Sequence, residues 1–222
     1  MKIHWAFGGV LLVMLPVCWG QSIPSPGCWH ADHAGTASEI EQMVGDLRDH
    51  AFPELSRVDL HIGTFHSQAD YFRTRFSVAR FFSPLRMRYL VEVNPALLNQ
   101  APPPDGVCAV LVHELAHVVT LSRGNRIRRL GLARLLSKKY TAQFERRTDL
   151  EAIHRGYGDG LKSYRTWVYD HIPSNKLEEK LRNYFSPAEI ATIQMKLQEQ
   201  PDLFAYWSKH VPLSALEIQN AR

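Results

Sequence analysis

Between Val107 and Leu121 the chain is almost entirely apolar, broken mainly by His113, Glu114 and His117. A segment apolar on every side predicts a buried helix. Upstream the patterning is mixed. Thr36 and Ser38 each stand three residues before a glutamate (Glu39, Glu41), the arrangement of a capping box, and Ile40, Met43, Val44 and Leu47 then mark one helical face. "RVDLHIGTF" (57–65) alternates, with Val58, Leu60 and Ile62 on one side, and "RMRYLVEVN" (86–94) does the same with Met87, Tyr89, Val91 and Val93. Period-two alternation predicts two strands. "YFRTRFSVARFF" (71–82) between them is aromatic and basic and reads as a strand or a short helix. Asn94-Pro95 is a helix start, followed by a stiff proline run at 102–104.

Beyond Ser122 the pattern predicts mostly helices: near 140–154, near 160–170, over "SNKLEEKLRNYF" and over "SPAEIATIQMKL". In the last of these Ser186 caps, Pro187 takes the first turn and Glu189 completes a capping box. The fold class is therefore α+β, a small N-terminal sheet followed by a mainly helical half from about residue 123.

The 222 residues suit one domain, at 45% hydrophobic and 22% charged. The 26 basic against 22 acidic residues leave a net charge of +4. That is too mild for an electrostatic nucleic-acid binder, and no nucleic-acid recognition motif is present. Residues 1–20 read as a signal peptide: Lys2 precedes the twelve-residue apolar run "AFGGVLLVMLPV" (6–17), too short for a span of ~20 residues. The expectation is an exported chain, periplasmic or secreted, whose mature domain is 21–222. A lipoprotein site at Cys18 is a second reading, disfavoured by the bulky Val17 before it. Cys28 and Cys108 then form an even pair, either bridged or left as two thiols. Cys28, His30 and His33 also sit close together, a grouping that reads as a solvated loop more readily than as a metal site.

His113 and His117 are four apart, so their rings leave one helical face about a turn apart and reach one ion. Zinc in a catalytic site takes three protein ligands and a water. Glu114 stands beside the first histidine, where a general base is needed. In such apolar surroundings two unpaired histidines and a glutamate would be costly, which argues against coincidence. For a third ligand, metzincins place Gly three residues and His six residues after the second histidine; Thr120 and Arg123 stand there instead. "FERRTDLEAIHRGYG" (144–158) offers Glu145 with Asp149 four residues on. Glu145 would close the ligand set, and Asp149 would accept the spare ring N–H of a ligand histidine. Glu145 is preferred over Glu151, which lacks an acidic partner one turn later, and over a solvated charged helix face, for which Arg146 and Arg147 alongside would argue.

"HELAH" followed 28 residues later by "ERRTD" resembles the gluzincin branch of zinc metallopeptidases, over residues 86 to 155. The resemblance implies a zincin-like fold with the small sheet packed on the active-site helix. It implies Zn2+ as cofactor and a peptide or protein substrate laid along an edge strand, here "RYLVEVN". The G-x-M-E-N sequence of gluzincin aminopeptidases is absent, which points to internal cleavage. Tyr157, Tyr164, His154, His171 and His210 are alternative oxyanion donors that sequence does not separate. "RGNRIRRLGLARLLSKK" (123–139), with seven basic and no acidic residues, either touches an anionic membrane or covers the protein's own core. Oligomeric state is not legible. The competing functions are a zinc-containing binding or scaffold protein without turnover, and an exported protein without metal.

Overall fold

The computed structural model describes residues 36–81, 86–123 and 137–221. The first helix, α1 (Ala37–Ala51), starts at Thr36, not Ser38. Thr36 Oγ1 accepts the Glu39 N–H at 3.2 Å, and the Glu39 carboxylate accepts the Thr36 N–H at 2.7 Å. Its predicted face of Ile40, Met43, Val44 and Leu47 is buried.

Three strands follow, β1 (Asp59–Thr64), β2 (Phe72–Phe76) and β3 (Arg88–Val93), with a short helix α2 (Val78–Phe81) after β2. The aromatic, basic stretch is thus a strand and a short helix in succession. The sheet order is β1-β3-β2, with β3 parallel to β1 and antiparallel to β2. This corrects the assignment of "RYLVEVN" (88–94) to the edge. β3 is the middle strand, and its inner row of Tyr89, Val91 and Val93 lies against the core. The cleft-side edge is β2, whose residues Arg73 and Arg75 line the cleft.

Asn94 ends the sheet. Its side chain caps a 3-10 turn (Pro95–Asn99) through the Ala96 N–H and donates to the carbonyls of Ser67 and Asp70. The next helix, α3 (Pro104–Arg123), is the central element, buried from Gly106 to Val119. Against it pack the inner sheet face, α4 (Lys138–Ala152) and α5 (Gly158–His171). A π turn, Ile153–Tyr157, joins α4 to α5, and Gly156 there has φ +93°, a conformation that suits glycine. A Cβ on Gly160 would come within 2.4 Å of the Asp105 carbonyl oxygen, so a bare glycine sets how closely α5 approaches α3.

The chain closes with α6 (Ser174–Asn183), α7 (Pro187–Glu199), α8 (Leu203–Trp207) and α9 (Ala215–Asn220). The Ser186–Glu189 box forms as predicted. Cys108 is buried and disulfide-bonded. Cys28 lies outside the described residues, as do the leader region 1–20 and positions 124–136 of the basic stretch.

Candidate metal centre

Two helices and one strand converge on the middle of α3. Helical spacing stacks His113 and His117, whose rings meet edge-on with centroids 4.7 Å apart. α4 crosses them and presents Glu145, whose Oε2 lies 3.2 Å from His113 Nε2 and 3.1 Å from His117 Nε2. One donor atom from each of the three residues falls within a 4.8 Å group. Glu145 is therefore where the E-x-x-x-D spacing places it. Glu151 points elsewhere, to Arg155 at 2.7 Å.

The far side of each ring decides its tautomer. His113 Nδ1 lies 2.8 Å from Asp149 Oδ1, the partner expected from sequence. That oxygen sits off the ring N–H direction, so the contact is a short charge–dipole attraction and not a well-aligned hydrogen bond. His117 Nδ1 lies 3.2 Å from Thr148 Oγ1. The Thr148 hydroxyl spends its proton on the Phe144 carbonyl at 3.0 Å, so it can only accept from the ring. Both imidazoles thus carry their proton on Nδ1 and turn the Nε2 lone pair inward.

Two inward lone pairs and a carboxylate oxygen repel one another unless a cation lies between them. The cation can be a proton. Burial works against charge on His113, yet its contacts with Asp149 and Glu145 outweigh this and raise its pKa to about 9. Burial likewise works against the Glu145 carboxylate, and the His117 and His113 rings outweigh it, holding Glu145 well below the usual carboxylate range. A divalent ion satisfies all three groups at once. Zinc bonds of ~2.0–2.1 Å at a tetrahedral angle set neighbouring donors ~3.3 Å apart. The observed 3.1 and 3.2 Å match that spacing. The His113, His117 and Glu145 triad is a zinc-binding site. In comparisons with protein families, with curated proteins and with solved structures, nothing matches this chain.

Behind the triad Asp149 is fully buried. Burial pushes its pKa up, but Arg165 above all, then His113 and the Phe185 N–H, bring it below the ordinary carboxylate range. Arg165 reaches Asp149 Oδ1 at 2.9 Å and lies 4.2 Å from the centre of the Tyr184 ring. The Phe185 N–H donates to Asp149 Oδ2 at 3.1 Å. This places the loop before α7 against the back of the site.

The front opens to a cleft of about 450 Å³, lined by Glu114, His117 and Glu145, by β2, and by Phe144 and Tyr184. The Glu114 side chain accepts the Thr74 hydroxyl at 2.8 Å, so β2 fixes its direction. Phe144 stacks on His117 at 4.8 Å. None of the five oxyanion candidates named from sequence lines this cleft. Tyr157 and Tyr164 are core residues. His154, His171 and His210 stack on Phe204, Trp167 and Tyr206 respectively. The phenol on the cleft is Tyr184, with its ring 5.9 Å from that of His113.

Sequence inspection did not single out Thr74, Thr148, Arg165 or Tyr184. Thr148 did leave a trace, since it sits three residues after Glu145 and so shares a helical face with it. The other three are set by the way distant elements cross.

Proposed function

We propose that this chain is a zinc endopeptidase. One observation carries the proposal: Glu114, which is not one of the three ligands, is held by β2 in the same cleft wall as His117 and Glu145. A scaffold site has no need of an acidic group beyond its three ligands at the open side of its metal.

Zinc, when held by His113, His117 and Glu145, supplies a Lewis acid that brings the pKa of a coordinated water towards ~7. Glu114 accepts the proton of the attacking water and later delivers it to the leaving amine nitrogen. Thr74 keeps that carboxylate on the cleft while it does so. Tyr184 donates its hydroxyl to the oxygen that gains charge as the carbonyl is attacked. β2 receives the substrate as an added strand, its backbone aligning the scissile bond with Glu114. Export agrees with the disulfide at Cys108, a bond favoured in oxidising compartments.

The zinc-loaded chain should cut internal bonds of a library of peptides blocked at both ends. Chelation should stop cleavage and added zinc restore it. A chain that holds zinc and cuts nothing is the scaffold protein instead. Tyr184→Phe should lower kcat by about 10²-fold with zinc content unchanged, following the cost of losing one oxyanion donor. Unchanged kcat removes Tyr184 from the mechanism.

A further inference from the structure

Two arginines stand on the edge strand that borders the cleft. Arg73 and Arg75 pair across from Glu92 and Leu90, so they project from the sheet face opposite the buried row of Tyr89, Val91 and Val93. Their surroundings differ. Arg73 Nε is 2.5 Å from Glu92 Oε2, and its guanidinium lies 4.2 Å over the Phe65 ring. Arg75 approaches the same oxygen only to 3.9 Å, with its side chain 55% exposed. Asp70, on the same cleft, is held by Lys180 at 2.7 Å. Glu114 and Glu145 serve the metal centre. Among the described residues lining the cleft, Arg75 is the guanidinium without a carboxylate of its own.

Its register relative to the chemistry is defined. Thr74 touches Glu114, so position 74 of β2 lies level with the reacting bond. Arg75 is one residue along and faces the other way. A peptide laid beside β2 alternates with the same period, and the residue opposite Arg75 projects to the same sheet face. Resting on the peptidase reading, we propose that Arg75 selects substrates with an acidic side chain within two positions of the scissile bond, on one side only. The other side lacks the preference because Glu92 already occupies Arg73. An opposite-charge cross-strand pair is worth about a 1.5- to 5-fold gain in kcat/KM, screened as salt rises.

The test uses the zinc-loaded full chain and blocked peptides that differ only in Glu, Gln or Lys at each position flanking the cut. Expected are a preference for Glu over Gln of about 1.5- to 5-fold at one position, its loss above about 0.5 M salt, and inversion towards Lys in Arg75→Glu. Binding of the same peptides to the Glu114→Gln chain, read by fluorescence anisotropy, should follow the same order without turnover. Cleavage with no charge preference, or an acidic preference that survives in Arg75→Glu, overturns the role of Arg75 and leaves the peptidase standing. No cleavage of any peptide overturns both.

Discussion

Glu114→Gln should leave zinc bound and slow peptide hydrolysis by about 10³- to 10⁴-fold, at the upper end of what general acid–base catalysis contributes. The substitution is nearly isosteric. The Thr74 hydroxyl that now donates to the Glu114 carboxylate at 2.8 Å can donate equally to an amide oxygen, so the side chain keeps its place. What changes is chemistry alone, since an amide at this position accepts no proton from water at neutral pH. The three ligand atoms belong to other residues, and metal content should therefore match the unmodified chain. Metal analysis beside kcat checks both halves. Hydrolysis at the original rate would leave Glu114 without a role.

Glu145→Ala should abolish tight zinc binding, whereas Glu151→Ala should retain it. Glu145 supplies the oxygen that both imidazoles face, and its removal leaves two ligands on one helix, short of the three that catalytic zinc sites use. Glu151 is tied to Arg155 on another side of α4 and contributes nothing to the ion. The contrast is readable in thermal unfolding as well as in metal content. Zinc at 100 times its dissociation constant stabilises a folded chain by about 2.7 kcal/mol, so added zinc should raise Tm for Glu151→Ala and not for Glu145→Ala. Zinc retained by Glu145→Ala and lost by Glu151→Ala would move the third ligand to residue 151.

Much of the centre was legible before any coordinates. His113 and His117 share a face because four residues make about one helical turn, and Glu145 with Asp149 repeats that spacing on a second helix. The capping boxes at Thr36 and Ser186 were equally local, each a hydroxyl and a glutamate three residues apart. The edge strand was not legible. Residues 88–93 show the clearest alternation because α3 covers one face of them, and that pattern reports burial of a face without saying whether a strand pairs on one side or on both. Tyr184, the proposed oxyanion donor, was hidden for a related reason. Tyr184 reaches the cleft because Arg165 from α5 and the Phe185 N–H both anchor on Asp149, and no spacing along the chain encodes that meeting.

By itself the amino-acid order determined the helices from the first through Pro187–Glu199, the Ser186 capping box, and the pairings of His113 with His117 and of Glu145 with Asp149, since each depends on a helical repeat spanning a single turn. Tertiary structure alone decided that α4 crosses α3 with its Glu145 face inward, that β2 borders the cleft, and that Thr148, Arg165 and Tyr184 surround the triad. Those choices follow from burying apolar faces against one another and from satisfying charges sealed inside, and both conditions join residues far apart along the chain.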